Sequence, residues 1–164
     1  MKMRRMRRCG QALPEDEAAE ILRRGKVCTL ALAGDDGYPY AVPLNYVYDG
    51  TSVYVHSARE GHKIDALRRS GKCSLCVVDA DEVVPERFTT YFRSAIAFGR
   101  AGIVEDDAER LRALRLLSEK YAPGVDPSEG LRRFFAAVCV IRITIEALSG
   151  KEAVELRRAS AERV

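Results

Sequence analysis

The chain has 164 residues, 47% of them hydrophobic and 12 of them glycine, which fits one compact domain and excludes a disordered or collagen-like chain. Its 27 basic and 24 acidic residues give a formal net charge of +3, and much of the positive excess lies in residues 1–8. No run approaches the roughly 18 apolar residues of a membrane span, and no apolar signal-peptide region follows the basic start, so we expect a cytoplasmic protein without a membrane partner.

The basic N-terminal segment raises the question of nucleic-acid binding. No aromatic residues are interleaved with its arginines, as a stacking platform for bases would require. We therefore predict a flexible tail over residues 1–12 and no nucleic-acid partner. The domain itself is predicted over residues 13–150, and a charged tail or helix over residues 151–164.

The first elements are a helix and a hairpin. Residues 14–24 begin with proline and acids and end with arginines before Gly25, which predicts a short helix. An apolar run at residues 26–33, a turn at residues 34–37 and a second run at residues 38–48 predict an antiparallel pair. Later strands are predicted at residues 52–56, 72–78, 89–104 and 138–147, and later helices around Ile64 and Leu67 and at residues 107–121 and 131–135.

The order of these elements indicates the fold class. Six or so strands with flanking helices and no βαβ rhythm predict a mainly β protein, a small antiparallel barrel with peripheral helices. Gly99 and Gly102, inside the long strand at residues 89–104, allow the sharp bends of a barrel corner.

The five cysteines are odd in number and scattered through apolar segments, which indicates reduced core thiols and no disulfide framework. Cys73 and Cys76 match the CxxC spacing of metal and redox sites. They lie in a predicted strand, where positions three apart face opposite sides, and no second CxxC or nearby histidine completes a zinc shell. We predict no metal site.

Both histidines of the chain fall in the segment 53–67, together with Ser57, Arg59 and Lys63. Here a predicted strand gives way to a helix, so free backbone N–H groups and the positive end of the helix dipole meet basic side chains. Such a place binds an anion, most naturally a phosphate. The alternative is a capping box, in which Ser57 and Glu60 tie down the helix start and the basic side chains are solvated.

Four segments occur in the order and spacing of a known family: RRGKVCTLAL, GYPYAVPLNYVYDG, VYVHSAREGHKIDAL and YFRSAIAFGRAGIVED. On these segments the chain resembles the pyridoxamine 5'-phosphate oxidase-like FMN-binding split barrels, and most closely their nitroimidazole-resistance-protein branch. The resemblance covers residues 3–148. It implies an antiparallel split β-barrel and a homodimer with FMN bound between the subunits; FAD or haem is the alternative cofactor.

The resemblance implies that one strand lies along the isoalloxazine ring, using backbone groups and the amide of Asn45. The residues of this strand are Val42, Pro43, Leu44 and Asn45. The alternative for these positions is ordinary strand packing.

The resemblance further implies that Ser57, His62 and Lys63 hold the flavin phosphate. It places His56 where its imidazole faces the ring or the substrate, which makes His56 the catalytic candidate; the alternative is a structural, hydrogen-bonded histidine. The remaining candidates are Arg93 and Ser94, which fill the place where the oxidases have Arg-Gln, so the serine departs from the family pattern.

A second departure concerns the reaction. True pyridoxamine phosphate oxidases share a C-terminal Arg-x-His segment that holds the substrate phosphate, and no histidine follows His62 here. Oxidation of pyridoxamine phosphate is therefore not expected, and the branch implies flavin-dependent reduction of a small molecule such as a nitroaromatic. Two alternatives stay open: a flavin or haem carrier or sensor with a histidine as axial ligand, and a small-barrel nucleic-acid module that uses the basic tail.

Overall fold

The computed structural model describes residues 4–161, with side chains to residue 157. Over that range the strands are β1 (Ala12–Leu13), β2 (Val27–Ala33), β3 (Pro39–Asn45), β4 (Val47–Tyr48), β5 (Ser52–Ala58), β6 (Lys72–Val84), β7 (Thr89–Ile103) and β8 (Val138–Glu152). The helices are α1 (Glu15–Arg24), α2 (His62–Arg69), α3 (Asp107–Tyr121), α4 (Ser128–Phe134) and α5 (Val154–Ala161). The predicted tails include residues 1–3 and 162–164, which lie outside the described residues.

The strands form one antiparallel sheet in the order β3-β2-β6-β7-β8-β5-β4, and β1 adds to β8. Strands β3 and β4 end this path and do not pair with each other, so the curved sheet is an open, split barrel. The predicted mainly β, antiparallel split barrel with peripheral helices is confirmed. Eight strands are present where about six were predicted, because β1 and β4 are two-residue strands too short to show an alternating pattern.

The predicted strand at residues 38–48 is wrong in one respect, because it is interrupted at Tyr46. This side chain is fully buried, and its hydroxyl donates to the Leu22 carbonyl in α1 at 2.7 Å. Its backbone N–H leaves the ladder and donates to the Tyr121 hydroxyl at 2.8 Å. The break therefore connects the sheet to α1 and to the end of α3.

The interior of the barrel is filled by inward-facing side chains of the long strands. Ala95 and Ala97 on β7 are buried, whereas Ile96 between them is 39% exposed, as strand alternation requires. A Cβ at Gly99 would lie 2.1 Å from the Thr144 carbonyl oxygen, so this position needs glycine. The register of β7 against β8 also shifts there, between Phe98 and Gly99, whereas the pairing is regular at Gly102.

A second apolar layer lies outside the sheet, where α3 packs against β4, β5 and β8. The helix begins at the Asp106 cap, whose carboxylate accepts the Glu109 N–H at 2.7 Å. The buried guanidinium of Arg110 donates to the carbonyls of Phe135 and Val138 at 2.9 and 3.0 Å. This arginine therefore ties α3 to the segment that leads from α4 into β8.

All five cysteines are free. Cys28 and Cys139 are buried as predicted, and Cys73 and Cys76 are half-buried, but Cys9 is exposed and is not a core thiol. Within residues 4–161, no group of histidine, cysteine or acidic side chains has the arrangement of a metal site. Among the described helices, none combines the length and the hydropathy needed to cross a bilayer.

Candidate functional site

Two of the predicted residues, Asn45 and His56, lie in the walls of one cleft of about 490 Å³. Asn45 is the last residue of β3, and His56 lies near the end of β5. The rest of the lining is mostly apolar and comes from α3, α4 and the start of β8: Leu114, Leu117, Ser118, Tyr121, Ala122, Leu131, Phe134 and Val138. The cleft therefore combines a polar end with an apolar wall, the usual make-up of a site for a small organic ligand.

The start of α2 does not contain the capping box that the sequence offered as an alternative. The helix begins at His62, and its first turn follows Gly61, which has a φ of +110°. No side chain caps it, and Ser57 belongs to β5, where it pairs with Cys139 of β8. Ser57 and Glu60 do not occupy the helix start, so the capping-box interpretation is wrong. The N–H groups of the first turn therefore donate no capping bond to either side chain and can donate to a ligand.

The side chain of Lys63 is half-buried beside this helix start. Burial lowers its pKa from the ordinary 10.5, while the nearby thiols of Cys139 and Cys28 act in the opposite direction. Partial burial, and then the charge of Lys63, also lower the pKa of His56 from 6.5. Among the side chains that the structure describes, Lys63 has no anionic partner. A half-buried ammonium in that state is costly, so this lysine favours a site that supplies a negative charge.

The side chain of His62, the first residue of α2, has its own contacts. Its ring stacks on Tyr40 of β3, with ring centroids 4.1 Å apart, and its Nε2 lies 3.3 Å from an Asp35 carboxylate oxygen. The Asp35 carboxylate also forms an ion pair with the Arg69 guanidinium, with 2.6 Å between Oδ1 and Nη2. These contacts connect α2 to β3 and to the turn that precedes it.

The predicted ring-binding strand is β3, which lies at the edge of the sheet and, among the described strands, pairs with β2 alone. Val42 and Leu44 pack against the barrel core, whereas Pro43 and Asn45 are exposed. One side of the β3 backbone is unpaired within residues 4–161, which leaves main-chain groups for a ligand. The alternation thus divides the four predicted residues into two that pack and two that face outward.

Tyr121 is a site residue that sequence reasoning did not identify. Its hydroxyl donates to the Lys26 carbonyl at 2.5 Å, and the Asn45 amide donates to the same oxygen at 3.3 Å. The hydroxyl also accepts the Tyr46 N–H. The only sequence signal was its position at the end of a predicted helix, and this does not reveal a contact across 75 residues of chain.

The last two predicted residues, Arg93 and Ser94, lie far from the others within one chain. Strand β8 pairs with both β7 and β5: its Glu152 lies opposite Arg93, and its Val140 lies opposite His56. These two positions on β8 are 12 residues apart. That corresponds to about 40 Å along an extended strand. The Arg93 guanidinium donates twice to Glu152, at 2.7 and 3.1 Å, so it is already paired with a buried carboxylate.

The comparisons with known proteins agree with this architecture. A solved candidate 5-nitroimidazole antibiotic resistance protein from Bacteroides thetaiotaomicron is 24% identical, with 85% of each chain covered and a TM-score of 0.72. An FAD-binding protein from Mesorhizobium loti is 28% identical, with 87% of this chain and 97% of that chain covered and a TM-score of 0.67. The flavocytochrome Anf3 from Azotobacter vinelandii is 23% identical, with 90% and 72% covered and a TM-score of 0.73.

None of the curated proteins is a significant match to the sequence. The sequence model of the family described as pyridoxamine 5'-phosphate oxidase matches residues 14–152, which is most of the chain and includes every predicted site residue. The family predicted from the four sequence segments is therefore confirmed, and the chain belongs to the pyridoxamine 5'-phosphate oxidase family.

Proposed function

We propose that the protein is a homodimeric flavoprotein that binds FMN and reduces a small molecule such as a nitroaromatic. The observation that carries this proposal is the half-buried Lys63 in the first turn of α2, whose charge acts on His56 in the wall of the cleft. A phosphate beside the lysine and a flat ring along β3 would satisfy both parts of this site with one ligand. The FAD-binding relative and the nitroimidazole-resistance relative support the ligand and substrate class.

The residues of the chain have separate roles in this proposal. Ser57, His62, Lys63 and the first-turn N–H groups of α2 hold the phosphate. Asn45 and the free backbone edge of β3 orient the ring, and Val42 and Leu44 anchor that strand to the core. When bound, the flavin supplies the hydride or electron chemistry.

His56 acts at the boundary between the ring and the substrate. Its lowered pKa keeps the imidazole neutral near pH 7, so it can both donate and accept a hydrogen bond there. The apolar wall that includes Leu114, Leu117 and Phe134 accepts the ring of an aromatic substrate and excludes water from it.

The dimer is proposed because one chain does not complete the predicted site. Arg93 and Ser94 lie too far along β7 to reach the flavin of their own subunit, and an antiparallel partner would bring them to the flavin of the other. The outward side of β7, with Ile96 and half-buried Phe98, is apolar enough to meet a second subunit.

A flavin or haem carrier without turnover is the second candidate. It is favoured by a neutral imidazole at the mouth of an apolar cleft, since His56 has the chemistry of an axial iron ligand. The absorption spectrum of the purified protein distinguishes a flavin from a haem directly.

The proposal is tested by titrating the purified protein with FMN and following flavin fluorescence and thermal unfolding. We expect a stoichiometric, stabilising complex that, once reduced, passes electrons to a nitroimidazole and is reoxidised by it. Pyridoxamine phosphate should not be oxidised, since the Arg-x-His segment is missing. A colourless protein that shows no thermal shift with excess FMN contradicts the proposal, and a flavin complex that no nitroaromatic reoxidises favours the carrier.

A further inference from the structure

A small basic pocket lies directly beside the predicted phosphate site. It has a volume of about 190 Å³ and is lined by Arg59, Arg68, Ile103, Val104, Glu105, Arg110, Val138 and Cys139. Three arginines and one glutamate leave two positive charges in excess. The volume is below the roughly 300–1,000 Å³ of pockets that enclose a whole drug-sized ligand, so the pocket suits one charged group of a larger molecule.

The pocket and the predicted phosphate site share a wall formed by Cys139. This residue pairs across the sheet with Ser57, so their Cα atoms are about 4.5–5.5 Å apart. The charges of Arg59, Arg110 and Lys63 each act to lower the pKa of the Cys139 thiol, although burial, the larger effect, raises it. The lysine and two of the pocket arginines therefore surround one buried side chain from neighbouring positions.

The three arginines differ in how far their own contacts satisfy them. Arg110 is fully engaged by Asp107 and two main-chain carbonyls. As far as the described side chains go, Arg68 has a single long contact of 3.3 Å, with Asp65 one turn earlier on α2. Within the part of the chain that the structure describes, the Arg59 side chain has no hydrogen-bonded or ion-paired partner. Two of the three guanidinium groups are thus available to a ligand.

We propose that this pocket, which we call the arginine pocket, binds a second phosphate next to the flavin phosphate. The proposal rests on the proposed function, since it extends the same site by one phosphoryl group. Guanidinium groups pair with phosphate oxygens through two parallel hydrogen bonds, so Arg59 and Arg68 provide the recognition and Arg110 fixes the pocket wall. The phosphate belongs either to the second half of FAD or to a separate nucleotide bound beside FMN.

The test compares FAD, FMN and ADP as ligands of the wild-type protein and of the variants Arg59→Ala, Arg68→Ala and their combination. ADP is titrated with and without FMN, so that the arginine pocket is tested even if no flavin binds. If the second phosphate comes from FAD, the wild type binds FAD about 10-fold or more tightly than FMN, and the double variant loses that preference. If it comes from a separate nucleotide, ADP binds and the double variant loses ADP binding.

Arg23→Ala is the matched control, because it removes an exposed arginine of α1 that does not line the pocket. It should leave all three affinities unchanged, and FMN binding should change less than about twofold in the pocket variants. FAD no tighter than FMN, together with no ADP binding, overturns the arginine pocket while leaving FMN binding intact. If the wild type does not bind FMN, the proposed function is contradicted instead. The titration with ADP alone then shows whether the arginine pocket binds a phosphate.

Discussion

Lys63, in the first turn of α2, lies close enough to His56 on β5 for the charge of the lysine to add to partial burial in lowering the pKa of the imidazole. The lysine itself is half-buried, and burial lowers its pKa as well. The charged lysine thus makes the charged form of the imidazole less favourable, and burial does the same to the lysine. An anion bound between them would reverse this, because it stabilises the ammonium and screens its effect on the histidine.

The first prediction concerns the role of Lys63. Lys63→Ala should weaken FMN binding about 10- to 100-fold, since a charge-assisted hydrogen bond to phosphate contributes about 1.5–3 kcal/mol. Riboflavin, which has no phosphate, should bind with nearly unchanged affinity. Fluorescence titration of both ligands measures the difference, with Lys72→Ala on β6 as the control. An equal loss for the two ligands would place the lysine away from the phosphate.

The second prediction concerns the titration of His56. The pKa of His56 in the folded protein lies below its ordinary value of 6.5. Between these two pKa values the unfolded chain binds more protons than the folded one, so this residue makes the protein less stable as the pH falls through that range. Lys63→Gln should raise the His56 pKa toward 6.5. Titration of the two imidazole signals by NMR measures this, and an unchanged His56 pKa in Lys63→Gln would show that burial alone causes the shift.

The third prediction concerns Tyr121, whose hydroxyl connects the end of α3 to Tyr46, directly after Asn45, and to Lys26, directly before β2. Tyr121→Phe should lower the free energy of unfolding by about 1–3 kcal/mol, because the backbone N–H of Tyr46 loses its acceptor. Flavin binding should also weaken, since Asn45 and Tyr121 bond the same Lys26 carbonyl. Chemical denaturation and FMN titration check the two effects.

Tyr91→Phe is a matched control, because the Tyr91 hydroxyl accepts only an exposed contact from Arg87. It should leave both stability and flavin affinity unchanged. If Tyr121→Phe lowers stability but leaves the affinity for FMN intact, the hydroxyl is structural and does not position Asn45.

The sequence predicted the parts of the molecule that depend on local pattern. The helix at residues 107–121 was predicted with its observed bounds, and His56, Ser57 and Lys63 were placed together because they are adjacent in the chain. Strand alternation places Ala95 and Ala97 on one face of β7 and Ile96 on the other, but only burial shows that the alanine face is the core.

What the sequence could not show depends on distant contacts. The break at Tyr46 and the role of Tyr121 come from packing between elements 75 residues apart, for which local periodicity gives no signal. The capping box was wrong because Ser57 is retained by pairing with β8, so the helix starts later, after Gly61. Tertiary pairing therefore overrode a local motif at the centre of the candidate site.

The last prediction concerns the dimer and its link to the cofactor. A site shared between subunits makes flavin binding and association mutually stabilising, since the ligand binds only the assembled form. Ile96→Asp puts a charge on the exposed face of β7, so it should favour the monomer and weaken FMN binding about 10-fold or more. The control is Val125→Asp, in the exposed loop between α3 and α4, which should change neither the assembly nor the affinity for FMN. Sedimentation with and without FMN measures the assembly. A monomer that binds FMN as tightly as the dimer would remove the shared site, and Arg93 would then serve only its ion pair with Glu152.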